Sequence, residues 1–69
     1  QRHHRAEHWR DRIVEQGAEA IEALLQELPA ADRQKLRQLW RNHNNAPTDA
    51  KRTQQARLIY KEIKRALDT

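Results

Sequence analysis

Between Arg2 and Gln16 the apolar residues Ala6, Trp9 and Ile13 recur at steps of three and four, with arginine, glutamate and histidine between them. That spacing lines the apolar side chains along one stripe of an α-helix and leaves the other faces to water. The pattern reads as the end of a longer helix. Gly17 is the single glycine of the chain; it can end this helix or hinge it, because it accepts backbone angles that other residues resist. From Ala18 to Leu28 a second stripe is formed by Ala20 or Ile21 with Leu24, Leu25 and Leu28, and Pro29 closes it.

Ala30 and Ala31 read as a turn, and Asp32 as the cap of a third helix, with the cap position open by a residue. Leu36, Leu39, Trp40 and His43 form the inner face of that helix, which is expected to end near Asn42. Asn42, Asn44, Asn45, Pro47 and Thr48 mark the clearest loop. Thr48 or Asp49 then opens a last helix with Ala56, Ile59, Ile63, Ala66 and Leu67 inward. Neither strand-like alternation nor an internal repeat is present. The expected fold is all-α, a small bundle of four helices, with the second and third forming a hairpin across Pro29.

Composition narrows the function classes. With 69 residues the chain has room for one domain, and 36% hydrophobic against 35% charged residues is too apolar for disorder yet thin for a core. Burial of Trp9, Trp40 and Tyr60 therefore matters. The chain starts at Gln1 and contains no methionine, so it is read as a piece of a longer protein. The absence of cysteine removes disulfides, thiolate metal sites and cysteine nucleophiles together, and favours a reducing cytoplasm. No apolar run approaches the roughly 18 residues that a membrane span needs, so no membrane partner is expected.

Catalysis has few residues to work with. There is no serine, and one glycine cannot build a phosphate-binding loop. His4-Arg5-Ala6-Glu7-His8 matches the H-x-x-E-H pattern of one class of zinc peptidases, and His4 and His8 would share a helix face. A hydrolytic zinc site needs a third ligand and a cleft around an open position. These histidines are accordingly read as surface residues, and no enzyme activity, metal or cofactor is expected. Carboxylate pairs such as Glu19 with Glu22 and Asp11 with Glu15 have the spacing of solvated helix faces.

The basic residues are better organised. Lysine and arginine total 14 against 10 acidic residues, a formal charge of +4 that favours a polyanionic partner. Arg33, Arg37 and Arg41 recur every four residues beside the Leu36 and Trp40 face. On the last helix Arg57, Lys61 and Lys64 gather opposite Ile59 and Ile63, with Lys51 and Arg52 at the start of that helix. Two such stripes on adjacent helices can follow a phosphate backbone, where the planar guanidinium suits bidentate contact. Solubilisation of helix surfaces is the competing explanation for the same side chains. Trp40 and Tyr60 have the chemistry of base-stacking platforms, but both fall on or beside apolar stripes and are read as core.

Trp9-Arg10-Asp11-Arg12-Ile13 with Glu15-Gln16-Gly17, Ala31-Asp32-Arg33-Gln34-Lys35-Leu36-Arg37-Gln38-Leu39 and Arg41-Asn42 together resemble the C-terminal part of the bacterial dual-action ribosomal maturation protein family. Ala56-Arg57-Leu58-Ile59-Tyr60 with Leu67 is similar to that family's last helix. The resemblance covers nearly the whole chain and departs from the family in the loop from His43 to Arg52, which starts poorer in charge. It implies a cytoplasmic protein of two helical bundles joined by a long helix, associated with the large ribosomal subunit in late assembly. Residues 1–16 would then be the end of the connector helix and 17–69 the C-terminal bundle.

The leading expectation is an assembly-factor fragment, monomeric, that binds large-subunit ribosomal RNA and its precursor particle. Arg33, Arg37 and Arg41 come first as phosphate contacts, followed by Lys51, Arg52, Arg57, Lys61 and Lys64. The alternative is a bundle that binds a ribosomal protein or a second assembly factor. A third reading puts the Arg33 to Arg41 helix in a DNA major groove, with Arg33 and Gln34 reading bases.

Overall fold

A computed structural model describes residues 5–68. Four helices follow in order, α1 (Arg5–Gln16), α2 (Ala18–Leu25), α3 (Ala30–Asn44) and α4 (Asp49–Asp68), with no strand among the described residues. The fold is all-α.

Gly17 separates α1 from α2. Its N–H donates to the Ile13 carbonyl at 2.8 Å and closes α1, while its own carbonyl accepts from Ala20 at 3.1 Å and Ile21 at 3.2 Å to open α2. The residue sits at φ 62°, a value that an L side chain resists. A Cβ there would meet nothing within 4 Å, so backbone angle and not space requires the glycine.

The junction between α2 and α3 differs from expectation at both ends. α2 stops at Leu25, with Gln26 still at helical angles (φ −69°, ψ −18°) as its C-cap, and Pro29 bars a helix from running on through Leu28. The chain leaves through tight turn bonds, Glu27 N–H to the Leu24 carbonyl at 2.9 Å and Leu28 N–H to Leu25 at 3.3 Å, and these carry Leu28 into the core. Pro29 itself stands at the N-cap of α3, with φ −59° and ψ 158°. It has no N–H to lose there, and its carbonyl accepts from Arg33 at 2.9 Å. Ala30 and Ala31 are thus the first turn of α3 and not a separate turn, and Asp32 is not the cap. Thr48 does cap α4, its Oγ1 accepting the Lys51 N–H at 3.2 Å.

The core joins α1, α2, α3 and α4 through Ala6, Trp9, Ile21, Leu24, Leu25, Leu28, Leu36, Ile59 and Ile63. α4 packs against α3 and α1, and α1 packs on α2, whereas backbone contact between α2 and α3 is sparse. The expected α2–α3 hairpin across Pro29 closes through side chains, with Ile21, Glu22 and Leu25 of α2 sharing a groove with Arg37, Trp40, Arg41 and Asn44 of α3. Leu36 is fully buried, yet Leu39, Trp40 and His43 on the same face are only half-buried, as are Tyr60, Ala66 and Leu67; Ala56 is exposed. Trp40 and Tyr60 border the core without being inside it.

Trp9 and Trp40 consequently differ in what they hold. Trp9 is 5% exposed, with the Arg12 guanidinium 4.4 Å above its ring. Trp9→Ala is expected to cost about 3–5 kcal/mol. Trp40→Ala, removing a half-buried ring, should cost roughly half of that. Urea denaturation of the two variants checks the order, and equal losses would contradict it.

Candidate nucleic-acid interface

The eight cations singled out from sequence do not form one surface. Arg33 is half-buried, its guanidinium donates to the Leu28 carbonyl at 3.1 Å, and its Nε is buried without a partner. It straps the end of the α2 turn to α3, satisfying a carbonyl that the helix end leaves open. Arg33 is thereby poorly placed to meet either a phosphate or a base. Arg37 and Arg41 are exposed and line a shallow groove of about 310 Å³ with Trp40, Ile21 and Leu25, but Glu22 of α2 lines the same groove. A carboxylate there weakens the positive field that the two arginines present.

On α4 the arrangement is set by a side chain that sequence reasoning passed over. Glu62 is only 5% exposed, and its carboxylate accepts two hydrogen bonds from Arg65, from Nε at 3.2 Å and from the terminal guanidinium nitrogen. Lys35 of α3 lies 3.6 Å from the same carboxylate, and Arg65 reaches Asp32 of α3 at 2.6 Å. The two acids raise the Arg65 guanidinium above its ordinary range, hydrogen bonding to Glu62 being the larger cause. This network joins α3 to α4 along one edge. The sequence carried one signal for it, since Glu62 occupies a core position in the stripe Ile59, Glu62, Ile63, Ala66; nothing local pointed to Asp32.

Helix geometry then directs the remaining cations. Lys64 follows Glu62 by two residues, which turns it by about 200° away from α3. Arg57 shares the Lys64 face, whereas Lys61, next to Glu62, stands between that face and the α3 side, where it lines a groove with Lys35, Leu39 and Leu58; all three cations are exposed. Arg37 follows Lys35 by two residues on α3 and is likewise turned by about 200° away from α4. The α3 and α4 stripes thus point to opposite sides of the α3–α4 pair. Among the described residues no ion pair engages Arg37, Arg41, Lys51, Arg57, Lys61 or Lys64, whereas Arg52 pairs with Asp49 at 3.5 Å.

Beside the α4 stripe lies an apolar groove of about 260 Å³ between α1, α3 and α4. Ile59 and Ile63 form its floor, Ile13, Val14 and Arg10 come from α1, Trp40 and His43 from α3, and Tyr60 and Ala56 complete it. Val14 is 79% exposed. Trp40 and His43 stack nearly parallel, with ring centroids 5.1 Å apart and 6° between planes, and the Arg10 guanidinium sits 5.1 Å from the Tyr60 ring centre. His4 lies outside the described residues; His8 is exposed, edge-on to Trp9 at 6.1 Å.

Residues 1–64 match the family of the dual-action ribosomal maturation protein DarP. The chain belongs to this family. DarP of Stenotrophomonas maltophilia strain R551-3 is 56% identical over 39 residues, which cover 56% of this chain and 20% of that protein. DarP of Xanthomonas campestris pv. campestris strain 8004 is 56% identical over the same number of residues, 39. DarP of Xylella fastidiosa strain Temecula1 is 43% identical over 60 residues, covering 87% of this chain and 32% of that protein. Measured by these matches, the chain spans between 20% and 32% of the length of its DarP relatives. No solved structure matches it.

The Glu62 network makes an ordered prediction. Arg65→Gln leaves a buried carboxylate with Lys35 alone, whereas Glu62→Gln leaves a half-exposed guanidinium that keeps Asp32 and water. An unpaired buried charge is the costlier remainder. Thermal melts should show Arg65→Gln lower than Glu62→Gln, with the double variant above the sum of the two losses. Equal and additive losses would show that the network holds nothing together.

Proposed function

We propose that this chain is the part of a DarP-family ribosome maturation factor that binds large-subunit ribosomal RNA and its precursor particle, in the cytoplasm, with the outer face of α4 as the phosphate contact. Arg57, Lys61 and Lys64 carry the reading. They are exposed, spread over two turns, and engaged by no carboxylate among the described residues, which is the arrangement that neutralises successive phosphates. Lys51, eleven residues before Glu62, falls on the Glu62 side of α4 and stands apart from this face; Arg37 and Arg41 form a second, weaker patch beside Glu22. The role is binding and not catalysis, and α1 is the end of the connector helix that reaches the rest of the longer protein. No helix among the described residues is long and apolar enough to cross a membrane.

A DNA-reading role for α3 loses support from the structure, because Arg33 is held by the Leu28 carbonyl and α3 is braced against α4. A protein partner is the second reading. Leu58, 40% exposed between Lys61 and Leu39, favours it.

Salt separates the two. Replacing Arg57, Lys61 and Lys64 together by Gln keeps straight-chain helix formers in place. Affinity for structured large-subunit RNA should fall, and the slope of log affinity against log salt should become shallower by about 0.9 for each duplex phosphate that is no longer neutralised. Replacing Arg37 and Arg41 by Gln should change the slope less. A slope untouched by the α4 triple substitution would remove α4 as the contact and favour a protein partner.

A further inference from the structure

The groove between α1, α3 and α4 is not used by phosphate binding on α4, yet it borders that face. Its walls combine three flat π systems, Tyr60, Trp40 and His43, with aliphatic sides from Ile13 and the exposed Val14. Its charged lining is the Arg10 guanidinium, which sits over the Tyr60 ring at 5.1 Å and pairs with Asp11 at 3.5 Å, while no carboxylate lines the groove itself. Arg57 precedes Tyr60 of the groove by three residues and Lys64 follows it by four, so two of the α4 cations share a helix face with the Tyr60 edge of the groove. A pocket that is apolar and aromatic inside and cationic at the rim complements a flat, uncharged ring attached to a phosphate. Unpaired RNA bases are recognised in this way, stacked on aromatic rings or on guanidinium planes with the backbone held by cations. A basic ribosomal protein would meet a rim of its own charge.

We infer that this groove receives an unpaired RNA base, with Tyr60, Trp40 and Arg10 as its stacking surfaces and Arg57 and Lys64 on the adjoining phosphates. The inference rests on the RNA reading above and specifies it, because a base can enter only where the RNA is single-stranded, bulged or looped. Duplex RNA offers phosphates but no free ring.

Two RNAs of equal phosphate number are the probes, a fully paired duplex and a hairpin whose loop leaves several bases unpaired, each titrated with the 69-residue chain at one salt concentration. The hairpin should bind about tenfold tighter, in the range of one stacked base. Tyr60→Leu, which keeps the apolar volume and removes the ring, should bring the two affinities close together. Val14→Glu, at an exposed position where folding tolerates the change, should do the same by placing a carboxylate at the lip. Equal affinity of the unaltered chain for both RNAs, or a preference that survives both substitutions, overturns the base pocket while leaving phosphate binding intact. Failure to bind either RNA overturns both readings. Displacement of the hairpin loop by an acidic amphipathic peptide that binds more tightly than RNA would reassign the groove to a protein helix.

Discussion

The carboxylate of Glu62 lies inside the α3–α4 contact, held by Arg65 and Lys35, and the outward direction of Arg57 and Lys64 follows from it. A charged oxygen pair in a mostly apolar seam is tolerable only with its hydrogen-bond partners in place. Rotating α4 by one residue would present Ile63 to Lys35 and leave Glu62 against apolar side chains. The network therefore fixes the rotation of α4 more narrowly than aliphatic packing alone, which accepts many shapes of similar volume. With that rotation set, Arg65 and Lys35 are engaged at the helix pair, and Arg57, Lys61 and Lys64 are turned to water.

The rest of the fold is arranged around the same helix. α4 is the element against which both α1 and α3 pack, and Ile59 and Ile63 are its contribution to a core otherwise built by Trp9, the α2 leucines and Leu36. α2 packs on α1 and meets α3 through side chains, while the most extensive backbone contact of α3 is with α4. Gly17 and Pro29 supply the two changes of direction that make this possible, one by its positive φ and the other by ending α2 early and capping α3. The gaps that remain between helices are the grooves, and half-buried Trp40 lines two of them.

Much of this was legible in the residues. Three-and-four spacing located all four helices, Gly17 marked the first break, and Ile21, Leu24, Leu36, Ile59 and Ile63 are buried as their stripes require. What the pattern lacked was the pairing of helices, because periodicity gives the face a helix buries but not the neighbour it buries it against. Hence the stripes do not show that α4 packs on both α1 and α3. The same gap affected the candidate site. Arg33, Arg37 and Arg41 share a stripe in one dimension, but only the fold puts the Leu28 carbonyl under Arg33 and Glu22 beside the other two. Asp32 read as a helix cap because its true partner, Arg65, is 33 residues away.

α4 is locked to α3 on its inner side and presents Arg57, Lys61 and Lys64 on its outer side, next to an aromatic groove, and this combination suits RNA that carries both phosphates and unpaired bases. Backbone amide chemical shifts of the labelled chain, followed during titration with structured large-subunit RNA, test that directly. Saturable shifts are expected to cluster at Arg57, Lys61 and Lys64 and to spread to Val14, Trp40 and Tyr60, with small changes from Arg33 to Arg37. Shifts concentrated on α3 and α2, with α4 silent, would contradict it.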